Sequence, residues 1–256
     1  MFFFLIPMIS FAQINDDEVI CKKIYIDIVN AIGNNSPAPP QFVFDKERKG
    51  KVAFIRNNKI YFEKAAFDAL ASLGKRREDG VAFIMAHELS HHYLRHAWMR
   101  KVGYAYSSNE VGDFLIEQGG TIEQRLAEET QADLYAGFFA HMAGYKALPV
   151  AAQTLEIIYE SYKLDSNMAG YPSLHDRQSI ANGRMQELAE LALVFNVANI
   201  ALVTSNYSVS NSCYQFILDK EFTSREIYNN LGLSQLYEAI SYLSATKYKF
   251  YLPTIM

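Results

Sequence analysis

Five consecutive residues, His87-Glu88-Leu89-Ser90-His91, restrict what this chain of 256 residues can become more than any other feature. They lie within 79–99, where Val81, Ile84, Met85, Leu89 and Leu94 recur at helical spacing and Asp79 suits an N-cap. Four apart on a helix, His87 and His91 project from one face about a turn apart. Two neutral ring nitrogens so placed can both reach one zinc ion at about 2 Å. Glu88 stands beside the first, where its carboxylate can meet a water at the metal, which is the HExxH pattern. A catalytic zinc site takes three protein ligands and keeps one position open. A second element must therefore bring a His, Asp or Glu to this helix.

The predicted helix 122–141 offers one in Glu128-Glu129-Thr130-Gln131-Ala132-Asp133. Glu129 and Asp133 share a face, while Glu128 points elsewhere and reads as a solvated residue. Glu129 is the candidate third ligand. Asp133, one turn on, can accept the free N–H of a ligand histidine and fix its ring. Ala132 is small enough to let the two helices approach. His92 and His96 are rotated away from the His87 pair on a continuous helix and have no acidic partner in view, so they read as surface or packing residues. His141 reads as structural.

The rest of the chain gives an α+β, mainly α-helical pattern. A short amphipathic helix over 16–32 precedes the breaker Gly33–Pro40. Gln41–Phe44, Val52–Ile55 and Lys59–Phe62 read as short strands, the last two joined at Asn57-Asn58, because Asn tolerates positive φ. Ala65–Leu73 reads as a helix ending at Gly74. Residues 102–121 are less regular and could cover a cleft. Further helices are predicted over 148–164 and from Asp176 onward. Half the residues are hydrophobic and a fifth are charged, so the chain is globular. A net charge of −4 gives no general attraction to nucleic acid or anionic membranes.

Residues 1–12 are almost wholly apolar and end in Ser10-Phe11-Ala12, the pattern of a secretory signal, although no Lys or Arg precedes the run. Cys21 and Cys213 are the only cysteines, and their spacing predicts no particular pairing. Leu188–Val203, the most apolar later segment, is interrupted by Glu190, Asn196 and Asn199 and reads as a buried helix rather than a transmembrane one. Val194, Val197 and Ala198 recur as Tyr228, Leu231 and Gly232 at an offset of 34, the period of a tetratricopeptide helix pair. The expected division is a signal over 1–12, a metal-binding domain over 13–185 and a helical tail over 186–256.

His87-Glu-Leu-Ser-His-His92, followed by Glu129-Thr-Gln-Ala-Asp133, resembles the gluzincin family of the CAAX prenyl protease and the HtpX heat-shock protease. Val52-Ala53-Phe54 and Lys59-Ile60-Tyr61-Phe62 resemble that family's strand hairpin. Tyr171-Pro172-Ser173-Leu174-His175-Asp176-Arg177 resembles its later His-Pro…Arg element, with Arg177 in the matching place and Tyr171 where the family has His. The resemblance covers roughly residues 20–185 and implies a zincin-like fold, one zinc ion and hydrolysis of peptide bonds. It implies His87, His91 and Glu129 as ligands, Glu88 as general base, and Asp133 and Arg177 as supports. Tyr171 could donate to a developing oxyanion, and His175 is the alternative. An extended polypeptide substrate is expected along the Lys59–Phe62 strand, at Ile60, Tyr61 and Phe62. Together with the leader, the resemblance implies an exported endopeptidase of a bacterial periplasm acting on unfolded or misassembled envelope proteins, with a protein partner on the helical tail. The competing expectation is a zinc-containing module that binds client proteins without cleaving them.

Overall fold

The computed structural model describes residues 16–33, 37–47, 49–96, 122–166 and 172–243. Residues 1–12, expected to be a leader, lie outside them, as do residues 97–121 and Tyr171. The first helix, α1 (Asp16–Ile32), places Asp16, Asp17 and Glu18 at its positive end and buries Cys21, Ile24, Ile28, Ala31 and Ile32. Three strands follow, β1 (Gln41–Asp45), β2 (Ala53–Arg56) and β3 (Lys59–Glu63). Asn57 and Asn58 both take positive φ, at 51° and 56°, and close β2 onto β3 in the expected two-residue turn. The sheet order is β1-β3-β2, with β1 parallel and β2 antiparallel to β3.

The predicted helix 65–73 is split. α2 (Lys64–Ala69) tightens into a 3-10 segment over Leu70–Arg76, and Gly74, at φ 56°, turns the chain into α3 (Arg77–Tyr93). Asp79 is therefore not the N-cap but a first-turn residue, and its Oδ1 accepts the backbone N–H of Lys146 at 2.7 Å. α3 is the centre of the molecule. Every residue from Gly80 to His87 is buried, and the helix packs against α1, β2, α4 (Ile122–Met142) and α5 (Ala151–Tyr162). A Cβ at Gly80 would fall 2.6 Å from Leu73 Cδ1 and 3.0 Å from Thr154 Oγ1, so the glycine permits the approach of α5.

Ser173 caps α6 (Leu174–Val203) by accepting from the backbone N–H of Asp176 at 3.0 Å. α6 is one 30-residue helix, and the boundary expected at 185/186 falls inside it. α7 (Tyr207–Asp219) and α8 (Arg225–Ser241) complete the chain of described elements. Within α6, Gln186–Val203 is long and apolar enough to cross a membrane by length and composition. Leu188, Leu191, Phe195 and Ala198 are buried there, and α6 packs against α4 and α7. The offset of 34 is not a packing repeat: Val197 is exposed where Leu231 is buried, and Ala198 is buried where Gly232 is exposed. Cys21 and Cys213 are both free, and burial pushes the Cys21 thiol well above its ordinary range.

Candidate metal centre

Two helices meet face to face to make the site. α3 contributes His87, Glu88 and His91. α4 contributes Glu129 and Asp133, with fully buried Ala132 between them. The Nε2 atoms of His87 and His91 lie 3.1 Å apart. Glu129 reaches both: its Oε2 is 3.4 Å from His87 Nε2 and its Oε1 is 3.5 Å from His91 Nε2. A tetrahedral zinc ion with bonds near 2.05 Å separates its ligands by about 3.3 Å, so these three spacings fit the donor set of a zinc site. The donors, two imidazole nitrogens and one carboxylate oxygen, are also the types zinc takes.

The electrostatics favour a cation at this point. Burial works against a charge on His87, but the carboxylates of Asp133 and Glu129 outweigh it and raise its pKa to about 10. Burial likewise opposes ionisation of Glu129, yet the neighbouring His87 outweighs it and holds that carboxyl far below the usual range. A divalent ion held there would take over the positive charge that a proton on His87 supplies without it. Glu88 lines the cleft beside both histidines, and desolvation raises its pKa. A carboxylate with raised proton affinity suits a general base.

Behind His87 stands a buried ionic support. Asp133 Oδ1 lies 2.8 Å from His87 Nδ1, an ion-pair distance without the alignment of a full hydrogen bond. Arg177, at the first turn of α6, grips the same carboxylate with two bonds, Nε to Oδ2 at 2.8 Å and Nη2 to Oδ1 at 2.7 Å. Its Nη1 donates to Tyr159 OH at 3.4 Å. Burial opposes the negative charge of Asp133, and Arg177 and His87 reverse that, holding its pKa at about 2. The structure thus brings together His87, His91, Glu129, Glu88, Asp133 and Arg177.

Other sequence expectations are corrected. β3 is the central strand, hydrogen-bonded on both edges, so Ile60, Tyr61 and Phe62 cannot receive an added strand. Ile60 and Phe62 are fully buried in the core, and Tyr61 stacks on Phe54 at 4.7 Å. The strand that borders the cleft is β2, whose Ala53, Phe54 and Ile55 line it, and whose outer edge has no paired strand among the described residues. The pattern of three strands was readable, but their order was not, because a parallel return of β1 leaves no local mark. The cleft, of about 830 Å³, is completed on its apolar side by Phe83, Ile84, Leu155 and Ile158. Val52, at φ 59°, enters β2 in a conformation rare for a β-branched residue. Buried Glu63 holds this turn, accepting from the backbone N–H groups of Lys49 and Lys51 at 2.9 and 3.1 Å and donating its own N–H to Val52 at 2.9 Å.

Glu128 is buried rather than solvated, and its Oε1 accepts from Gln124 at 3.2 Å. His175 is exposed on α6 and does not line the cleft. His96 is not rotated away. Its Nδ1 lies 2.8 Å from His91 Nδ1, and its Nε2 lies 2.9 Å from Gln131 Oε1. Burial, then the neighbouring His91, lowers its pKa to about 4. α3 ends at Tyr93, and Arg95 takes φ 58°. The N–H of His96 then bonds His91 O at 3.2 Å and that of Arg95 bonds His92 O at 3.3 Å, a Schellman ending. The usual sequence signal for that ending is Gly or Asn at the left-handed position, and arginine gives none. Compared with known protein families, with curated proteins and with solved structures, the chain finds no match.

Proposed function

We propose that the protein is a zinc-dependent endopeptidase that cleaves unfolded or misassembled proteins of the cell envelope. The observation that carries the reading is the convergence of His87, His91 and Glu129, whose donor atoms lie within 4.8 Å of one another, on the wall of a cleft that Glu88 also lines. A zinc ion bound by these three residues supplies Lewis acidity toward water and the scissile carbonyl. Glu88 takes the proton of the attacking water and passes it to the leaving amine. An extended polypeptide lies along the outer edge of β2, held by main-chain hydrogen bonds that are largely indifferent to its sequence. Phe83, Ile84, Leu155 and Ile158 give its side chains an apolar wall. The leader-like residues 1–12 support placement in the cell envelope.

Glu88→Gln tests the chemistry. It is expected to keep stoichiometric zinc while cleavage of an unfolded casein-type substrate falls by about 10²- to 10⁴-fold. Unchanged turnover in that variant sinks the mechanism. Client binding with no chelator-sensitive cleavage in the wild-type chain favours instead a zinc-containing binding module.

A further inference from the structure

Behind His91 the side chains form a hydrogen-bonded series whose direction depends on the amide of Gln131. Gln131 Oε1 lies 2.9 Å from His96 Nε2. A carbonyl oxygen only accepts, so that ring nitrogen carries the proton. A neutral imidazole has one N–H, which leaves His96 Nδ1 as a bare lone pair. It faces His91 Nδ1 at 2.8 Å, which must therefore be the donor. In a neutral His91 the Nε2 then holds no proton, and it is this atom that faces His87 Nε2 at 3.1 Å and Glu129 Oε1 at 3.5 Å. The reverse orientation is chemically distinct. Were Gln131 to present its NH₂ group, each proton in the series would move one place, His91 Nε2 would carry hydrogen, and His91 could no longer bind a metal through it.

We propose that His96 and Gln131 are positioning residues: a neutral relay that fixes the tautomer and ring plane of His91. Its consequence for metal affinity rests on the reading of His87, His91 and Glu129 as ligands; the tautomer itself does not. The relay depends on the backbone ending of α3. On a helix continued through residue 96, His96 would lie about 140° around the axis from His91. The left-handed Arg95 folds it back, so that the two rings meet edge to face, 4.8 Å between centroids. Gln131 stands on α4 between Glu129 and Asp133 in sequence, so the helix that brings the third ligand also brings the acceptor that sets the relay's direction.

The test uses the full metal-free chain with ¹⁵N-labelled histidine and long-range ¹H–¹⁵N spectra. The expected result is His91 protonated on Nδ1 and His96 on Nε2. Gln131→Met, at an exposed position, removes the acceptor and is expected to leave His91 as a mixture of tautomers. Gln131→Glu, which only accepts, is expected to retain the single tautomer. His96→Phe keeps a ring and loses the relay. Zinc affinity, read by competition with a chromophoric chelator, is expected to fall about 10- to 100-fold in His96→Phe, less in Gln131→Met, and to be retained in Gln131→Glu. A wild-type His91 protonated on Nε2, or a tautomer unmoved by Gln131→Met, overturns the relay. If wild-type chain takes up no zinc, or if His91→Ala does not weaken uptake, the metal-site reading fails instead, and the tautomer spectra still decide the relay.

Discussion

The two histidines of the HELSH turn are supported by opposite chemistries. His87 rests against a carboxylate that is itself gripped by a guanidinium, all of it buried. His91 rests against a neutral imidazole and an amide on the exposed side of α4. The difference follows from position. His87 lies deeper in α3, where Asp133 of α4 stands against it and Arg177 of α6 pairs that carboxylate, and a charge there needs full pairing. His91 stands in the last turn, beside solvent, where neutral hydrogen bonds suffice to orient a ring. Structural stability and the orientation of a ring are thus joined on one side of the site and separated on the other.

The comparison breaks most visibly at Arg177. Arg177→Met leaves Asp133 as a buried carboxylate without its guanidinium and is expected to cost about 3–5 kcal/mol in urea unfolding of the metal-free chain. The pH dependence carries a sign. In the wild type, Asp133 is held below its ordinary value of 3.8, at about 2, so its contribution is complete above 3.8 and is lost as pH falls through about 2. In Arg177→Met the carboxyl titrates higher, so the deficit relative to wild type narrows as pH is lowered from neutrality toward 3.8. A deficit that widens on acidification would show that the pair does not hold Asp133 ionised.

Tyr159→Phe tests the outer end of the same support. It removes a single long hydrogen bond to Arg177 and is expected to cost about 0.5–1.5 kcal/mol. On the open side, Gln131→Met is expected to change unfolding free energy by no more than about 0.5 kcal/mol, while it weakens zinc uptake. Equal stability losses for Arg177→Met and Gln131→Met would erase the distinction between the two sides.

Much of this centre was legible in order of residues alone. Spacing of four put His87 with His91 and Glu129 with Asp133, because helical periodicity fixes which side chains share a face. The Asn57-Asn58 turn was legible because it needs positive φ at both positions. Arg177 was found through family resemblance rather than spacing, and the structure places it on Asp133.

What the chain could not disclose were relations set by elements meeting at a distance or by backbone endings without a marker residue. The alternation of β3 made it a strand, yet only the parallel return of β1 made it the centre and left β2 at the cleft. The burial of Glu128 depended on its surroundings rather than on its own helix. His96 is the clearest case. Its sequence position assigns it to the wrong face, and the left-handed turn at Arg95, stabilised by two backbone hydrogen bonds, swings it onto His91. Local periodicity determined the candidate ligands, because helix geometry is repeated at every residue. Tertiary structure decided their supports, because those depend on which surfaces the packed helices bring together.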